Sequence, residues 1–242
     1  MTINFELNSP LKPTWRRYVN IFINNFNMSI YRALEYEALS RLEFSGRILD
    51  FGGGENAHYL SSIKTWTLDG GYESVNISAE MKPTYLIALG DDLPVADNTF
   101  DMVISINTLE HVYNLNKVLK ELVRVLRPGG RIVLAVPFLF RMHGCPDDYN
   151  RPTVSWWRET LPQYGVNDME VTPLVWDILT TGLSVTERAG PFSSLRRILV
   201  PLYGLLYAQI RGRGTGDRYP QQIGEALSNA ALGYVISGVK QK

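Results

Sequence analysis

The chain has 242 residues, of which 45% are hydrophobic, and this suits one α/β domain with some decoration. Its 24 basic and 24 acidic residues cancel, which argues against a broad electrostatic surface for DNA or RNA. The single cysteine, Cys145, excludes an intramolecular disulfide and a cysteine-rich metal site, and we predict no bound metal. With neither a secretory signal nor a run of about 18 apolar residues, we expect a cytoplasmic protein.

The first 45 residues predict a helical cap. Apolar side chains recur at a mixed spacing of three and four over Trp15–Phe26 and Ser29–Phe44. Ser29 suits the N-cap of the second helix, because its hydroxyl can accept a hydrogen bond from the first turn.

Residues 46–138 alternate short β-branched runs with polar or helical stretches, which is typical of βαβ units. Two more strands further along would complete a Rossmann-like α/β fold, with a seven-stranded, mostly parallel sheet and helices on both faces. The predicted strands are Arg47–Phe51, Thr65–Leu68, Thr84–Ala88, Asp101–Ile106, Arg131–Pro137, Met169–Leu174 and Gly233–Val239.

These elements predict a cap over residues 1–45, a core over 46–175 and 230–242, and an insertion over 176–229. Within the insertion, Leu195–Ile210 is apolar and has arginines at both ends. A lid or a homodimer helix is the preferred interpretation. A peripheral membrane contact through residues 195–213 remains open, because basic-flanked amphipathic segments can lie at a membrane surface.

A glycine-rich turn follows the first predicted core strand. Asp50 closes the strand, and Gly52–Gly54 would let the backbone approach a ligand closely. Asp69 follows about 20 residues later, at the distance at which an acid accepts hydrogen bonds from ribose hydroxyls. This spacing predicts an adenosine-bearing cofactor. It also fits a dinucleotide, since Gly52-x-Gly54-x-x-Ala57 satisfies the G-x-G-x-x-G/A pattern, so an NAD(P)-dependent oxidoreductase stays an alternative.

From Gly46 to about Leu161 the chain resembles class I methyltransferases that use S-adenosylmethionine (SAM), in the group called type 11. The resemblance rests on five pieces in family order: ILDFGGGEN (48–56), Asp69, GDDLPVADNTFDMVIS (90–105), NTLEHV (107–112) and LRPGGRIVLAVP (126–137). Two departures are Asn56 at the usual last glycine of the loop, and the competition of Asp91 with Asp92 for an acidic position.

The resemblance implies SAM as the cofactor and a role for each matching position. Asp50 and the loop glycines Gly52, Gly53 and Gly54 would hold the methionine end of the cofactor, and Asp69 would bind the ribose hydroxyls. Asp92 and Leu93 would flank the adenine, and Asn107 and His111 would line the pocket near the methionyl group. Glu110 and His111 also suit a hydrogen-bonded pair at a helix start.

The loop after the fifth predicted strand carries the candidate acceptor site. His143 has an ordinary pKa near 6.5, which suits a general base, and Asp147 or Asp148 could orient it. Tyr149 and Arg151 could grip a polar acceptor. The structural alternative is that Asp147 caps a turn, Arg151 pairs with an aspartate and His143 is solvated.

The motif H-x-x-P-D-D-Y-x-R-x-T over residues 143–153 resembles type 11 methyltransferases of surface-polysaccharide and sugar pathways. This implies O-methylation of a sugar, a glycan or a sugar-linked phosphate-type acceptor. Methyl transfer to another small molecule or to a lipid-linked acceptor stays open. So does a non-catalytic SAM-binding partner protein.

Overall fold

A computed structural model describes residues 4–55, 57–63, 66–67, 71–144, 147–186, 192–211 and 216–242. The described strands are β1 (Phe5–Leu7), β2 (Phe44–Ser45), β3 (Ile48–Phe51), β4 (Trp66–Thr67), β5 (Tyr72–Asn76), β6 (Tyr85–Leu86), β7 (Phe100–Ile106), β8 (Leu126–Pro137), β9 (Val166–Leu174) and β10 (Gly233–Lys240). The described α-helices are α1 (Trp15–Tyr18), α2 (Ile30–Leu39), α3 (Leu115–Val125), α4 (Val154–Thr160), α5 (Ile178–Val185), α6 (Ser193–Arg211) and α7 (Gln221–Ser228), and α1 continues into a π-helical segment, Val19–Asn24.

The main sheet has eight strands in the order β1-β9-β10-β8-β7-β3-β5-β6. Strand β10 runs antiparallel to both β8 and β9, whereas β3, β5, β6, β7 and β8 form a parallel block. The expected α/β class is therefore right, but the prediction of seven mostly parallel strands is wrong. The additional edge strand is β1, which pairs in parallel with β9. Three residues are too few to show an alternating pattern, so this strand was hidden inside the predicted helical cap.

The prediction that Thr65–Leu68 is a strand of the main sheet is also wrong. Strand β4, at the position of Thr65–Leu68, pairs only with β2 in a separate two-stranded sheet. The neighbour of β3 is β5. Glu73 interrupts the apolar character of β5, but its carboxylate pairs with Arg47 Nε at 2.6 Å, which allows a charge there.

The two faces of the sheet are covered by different parts of the chain. Helix α3 packs on one face through a buried stripe of apolar side chains at helical spacing that includes Leu115, Leu119 and Leu122. The opposite face is covered by the N-terminal cap, where Ile30 and Leu34 of α2 are buried. Helix α2 therefore lies close enough to the sheet to contribute side chains to any site at its edge.

Helix α6 is the longest described helix of the predicted insertion and exposes an apolar face to solvent. None of the described helices is long and apolar enough to cross a membrane. Whether α6 serves as a lid, a homodimer interface or a peripheral membrane contact stays a prediction. The exposed side chains are Leu195, Leu199, Tyr203, Leu206, Tyr207 and Ile210.

Trp176 joins the cap, the sheet and the insertion. Its buried indole packs edge-on against Phe22, with ring centroids 4.9 Å apart, and donates a hydrogen bond to the Pro201 carbonyl at 3.0 Å. We expect Trp176→Ala to lower the free energy of unfolding by about 3–5 kcal/mol in urea denaturation, because a large cavity would separate three elements. The control Trp15→Ala, at a side chain 56% exposed, should cost about 1 kcal/mol or less. Equal losses in the two variants would contradict this role for Trp176.

Candidate active site

The candidate site lies where the order of the parallel strands reverses. From β3 the chain adds β5 and β6 on one side, and then crosses to add β7 and β8 on the other. In open α/β sheets, ligands bind at the carboxyl ends of the strands beside such a reversal. The loops that leave β3, β7 and β8 meet at this edge. They carry most of the predicted site residues, in the described stretches Gly52–Gly54, Asn107–His111, His143–Gly144 and Asp147–Arg151.

The glycine loop is packed so closely that side chains cannot be accommodated. Gly52 has a φ of 94°, and a Cβ there would lie 1.9 Å from Thr108 Oγ1. A Cβ on Gly53 would lie 2.1 Å from Asp50 Oδ2, and one on Gly54 would lie 2.2 Å from the Met81 carbonyl oxygen. The three glycines therefore let the backbone thread between neighbouring elements.

Asp50 lies fully buried beneath this loop. The hydroxyls of Tyr59 and Tyr72 both donate to Asp50 Oδ2, the latter at 2.6 Å. Burial raises the pKa of Asp50 to about 6, although the two tyrosine hydrogen bonds act in the opposite direction. In the described part of the chain, Asp50 Oδ1 has no hydrogen-bond partner. Sequence reasoning found Asp50 but missed both tyrosines, because neither belongs to the glycine motif.

Asn76 supports the loop from the neighbouring strand. It ends β5, and its Nδ2 donates to the carbonyl oxygens of Gly52 and Gly53 at 2.9 and 3.0 Å. Asp69, predicted to close the second core strand, lies outside the described residues. The strand that pairs with β3 on this side ends at Asn76 instead, and the contact of Asp69 with the ribose stays a prediction. Correct recognition of Tyr72–Asn76 as a strand would have directed attention to Asn76.

The two residues expected beside the adenine differ in their surroundings. Leu93 is buried in the core, and its backbone N–H donates to Glu121 Oε2 at 3.0 Å. Asp92 is exposed and pairs with Lys117 Nζ at 2.9 Å. Their contact with adenine stays a prediction, and of the two only Asp92 presents its side chain to solvent.

The N-terminal cap reaches the site through Asn107, which has a φ of 53°. Asn107 Nδ2 donates to Glu35 Oε1 at 2.7 Å, and the Tyr31 hydroxyl donates to Asn107 Oδ1 at 2.5 Å. Glu35 is fully buried, and the loss of hydration raises its pKa to about 7. Sequence reasoning missed Glu35 and Tyr31. The available signal was a carboxylate on the otherwise apolar face of α2.

Glu110, His111 and His143 form a compact cluster beyond Asn107. His111 Nε2 lies 3.6 Å from Glu110 Oε1, and His143 Nε2 lies 3.9 Å from the same oxygen. Burial raises the pKa of Glu110 above its ordinary value, whereas burial lowers the pKa of His143. The two imidazole rings meet edge to face, with centroids 5.1 Å apart. Both separations exceed a normal hydrogen bond, so the hydrogen-bonded pair of Glu110 and His111 considered from the sequence is not formed.

The loop after β8 is organised by an ion pair between Asp148 and Arg151. Arg151 Nε donates to Asp148 Oδ1 at 2.9 Å, and its Nη2 donates to Oδ2. Arg151 also donates to the carbonyl oxygens of Phe138, Phe140 and Arg141. Its guanidinium thus closes the loop, in agreement with the structural alternative. Its contact with an acceptor stays a prediction.

Of the two aspartates expected beside His143, Asp148 is the nearer in the described contacts. Its Oδ2 accepts from the His143 backbone N–H at 3.2 Å and lies 3.6 Å from His143 Nδ1. Asp147 instead accepts from the Tyr149 hydroxyl at 2.9 Å, and its carbonyl oxygen contacts His111 Nδ1 at 2.6 Å. Tyr149 is exposed and packs edge-on against exposed Tyr113.

The residues of this edge fit SAM. Because the glycine loop has no side chains, its backbone groups can approach the polar methionine end of the cofactor closely and form hydrogen bonds with it. The unpartnered, buried Asp50 Oδ1 beside it suits the positive ammonium group of that end.

We expect Gly53→Ala to weaken SAM binding at least tenfold, measured by isothermal titration calorimetry, because the new Cβ would displace Asp50 or the loop backbone. Gly182→Ala is the matched control, since a Cβ there meets nothing within 4 Å and alanine favours helix α5. Unchanged SAM affinity in Gly53→Ala would show that the loop tolerates a side chain.

Glu35 should make stability depend on pH. Its folded-state pKa of about 7 lies above its ordinary value, so its contribution is complete below about pH 4.5 and is lost as the pH rises through 7. Glu35→Gln keeps the acceptor for Asn107 and cannot ionise. The stability of this variant relative to the unmodified protein should therefore rise by about 3 kcal/mol between pH 4.5 and 8 in urea titrations. A difference that does not change with pH would contradict the burial of an ionisable Glu35.

Comparison with known proteins also supports a methyltransferase domain that binds SAM. Residues 49–134 match the family model described as a methyltransferase domain. A ubiquinone/menaquinone biosynthesis C-methyltransferase from Haemophilus ducreyi is 33% identical over 93 residues, covering 38% of this chain and 36% of that protein. An O-methyltransferase from Aspergillus nomiae is 40% identical over 76 residues, covering 31% of this chain and 32% of that protein. The chain thus spans about a third of the length of these two relatives.

Solved structures agree on the fold. A SAM-dependent methyltransferase from Archaeoglobus fulgidus superposes with a TM-score of 0.52 at 16% identity, covering 90% of this chain and 98% of that one. At this identity the likeness concerns the fold alone. Taken with the family match and the geometry of the glycine loop, it supports a class I SAM-dependent methyltransferase domain with S-adenosylmethionine as its cofactor.

Proposed function

We propose that the chain transfers the methyl group of SAM to a hydroxyl oxygen of a sugar or glycan-related acceptor. The carrying observation is the position of the Glu110, His111 and His143 cluster beside the glycine loop. Gly52 packs against Thr108, and Glu110 follows Thr108 by only two residues. The candidate donor loop is therefore in contact with the turn that carries Glu110 and His111.

An oxygen acceptor is proposed because the cluster provides the group that such an acceptor needs. The sulfonium of SAM is a good leaving group, so the protein mainly orients the reactants. A hydroxyl must also lose its proton when the oxygen–methyl bond forms and the carbon–sulfur bond breaks. In this proposal His143 accepts that proton, Asp148 orients the imidazole, and the bonding electrons stay on sulfur in S-adenosylhomocysteine.

The surroundings of His143 favour a polar acceptor. Its side chain is 38% exposed, and the exposed rings of Tyr113 and Tyr149 lie in the neighbouring turn and loop. Tyrosine combines an apolar ring with a polar hydroxyl, which suits the mixed surface of a sugar. The relatives differ in their acceptor atom, since one is named a C-methyltransferase and another an O-methyltransferase. The oxygen assignment therefore rests on the residues of this chain.

Transfer from SAM labelled in its methyl group tests the proposal against a panel of sugars, glycans and sugar phosphates. With an accepted sugar, His143→Ala should lower kcat by about 10²–10⁴-fold, while the KM for SAM changes little. Met142→Ala is the matched control, because this adjacent side chain is exposed and has no proposed role.

Three results would count against the proposal. Full activity in His143→Ala would exclude His143 as the base. Thermal stabilisation by NAD(P)H but not by SAM would favour an oxidoreductase. SAM binding without transfer to any member of the panel would favour a non-catalytic SAM-binding protein or a different acceptor class.

A further inference from the structure

Glu110, His111 and His143 have the spacing of ligands around a single cation. One atom from each lies within 4.8 Å of the others. The two nitrogen–oxygen separations, 3.6 and 3.9 Å, are too long for hydrogen bonds. Two ligands at 2.0–2.1 Å from a tetrahedral cation lie about 3.4 Å apart, so only small shifts are needed for all three to bind it.

The imidazoles are oriented as in metal-ligating histidines. His111 Nδ1 lies 2.6 Å from the Asp147 carbonyl oxygen, which can only accept, so Nδ1 carries a proton and Nε2 is the nitrogen available to bind a cation. His143 Nδ1 faces the Arg141 carbonyl oxygen at 3.4 Å and Asp148 Oδ2 at 3.6 Å. Both Nε2 atoms therefore face Glu110, and both Nδ1 atoms face the oxygens that usually orient a ligating ring.

Glu110 provides an independent observation. Its side chain is completely inaccessible to solvent, and neither carboxylate oxygen accepts a hydrogen bond from another residue in the described part of the chain. The neighbouring guanidinium of Arg151 is engaged by Asp148 and three carbonyl oxygens. A buried carboxylate without a donor is costly unless it takes up a proton or a cation compensates its charge.

The backbone holds this arrangement together. The N–H groups of Tyr149 and Asn150 donate to the Glu110 carbonyl oxygen at 2.7 and 3.1 Å. The loop after β8 is thus tied to the turn after β7. The ligand atoms converge because two connected loops are fixed to each other, as a preorganised site requires.

We propose that Glu110, His111 and His143 bind a first-row transition-metal dication, such as Zn²⁺ or Co²⁺. Two imidazoles and one carboxylate suit these ions better than Mg²⁺ or Ca²⁺, which prefer oxygen ligands. The site departs from the expectation, based on cysteine content, that no metal is bound. Three protein ligands leave a coordination position open, and the partial exposure of His143 makes it accessible.

The open position has a use if the proposed O-methylation is correct. An acceptor hydroxyl bound there would have its pKa lowered by the cation and would release its proton to solvent water. The resulting oxygen would attack the SAM methyl group as the carbon–sulfur bond breaks. In the metal-bound protein the cation would therefore replace His143 as the group that makes the hydroxyl reactive, and His143 would be a ligand. This step rests on the oxygen acceptor of the proposed function and not on the base role of His143, whereas metal binding itself rests on neither.

The test is Co²⁺ titration of the full chain, with any affinity tag removed and after dialysis against a chelator. We expect one equivalent to bind and to produce visible d–d absorption typical of coordination by nitrogen and oxygen. His143→Ala and Glu110→Gln should each raise the Kd for Co²⁺ at least tenfold. His58→Ala removes the remaining histidine of the chain and should leave stoichiometry and Kd unchanged. Circular dichroism of each variant checks that it is folded.

The absence of a one-equivalent spectrum would overturn the proposal, as would an unchanged Kd in both cluster variants or an equal loss in His58→Ala. Because His143 is partly exposed, His143→Ala should fold even if the loss of buried Glu110 is disruptive. Methyl transfer is assayed separately, with and without chelator. Co²⁺ binding without any transfer would leave the metal site standing and reject the proposed function. If the protein binds no Co²⁺ and methyl transfer continues in the presence of chelator, the metal site is rejected and the proposed function is retained.

Discussion

The close contact between Gly52 and Thr108 is the constraint on which the rest of the site depends. It joins the ends of β3 and β7, the two strands at the reversal of the sheet. The absence of a side chain on one partner brings the two loops together. The candidate donor loop therefore lies next to the turn that carries Glu110. A larger residue at either position would separate the two halves of the site without changing any of their polar groups.

The N-terminal cap is part of the site as well as a cover for the sheet. Tyr31 and Glu35 extend from α2 to Asn107, so the conformation of the turn after β7 depends on a segment more than 70 residues earlier in the chain. Asn107 adopts a left-handed backbone conformation, which asparagine tolerates better than most residues. The buried network around it resists local rearrangement because loss of any partner would leave a polar group unsatisfied.

The sequence was most informative where local chemistry and tertiary structure agree. The glycine loop needs residues without side chains, and helix α3 needs an apolar stripe, so both are visible in the pattern. The sequence was least informative where a charged side chain inside an element is stabilised by a residue far away in the chain. Glu73 is acceptable in β5 because Arg47 pairs with it, and Glu35 is acceptable inside α2 because Asn107 donates to it. The convergence of His143 on Glu110 depends on how two loops are tied, which no local pattern contains.

The position of β10 has a consequence for how the molecule assembles. Strands β1 and β9 connect to the parallel block only through β10, which is the last strand in the sequence. Residues 5–7 therefore reach their place in the sheet only after residues 233–240 have been synthesised. Such long-range pairing is slow, because loop-closure entropy is lost before the contacts that offset it are made. Before β10 inserts, the edge of β8 is open, and another chain could pair with it at that stage of folding.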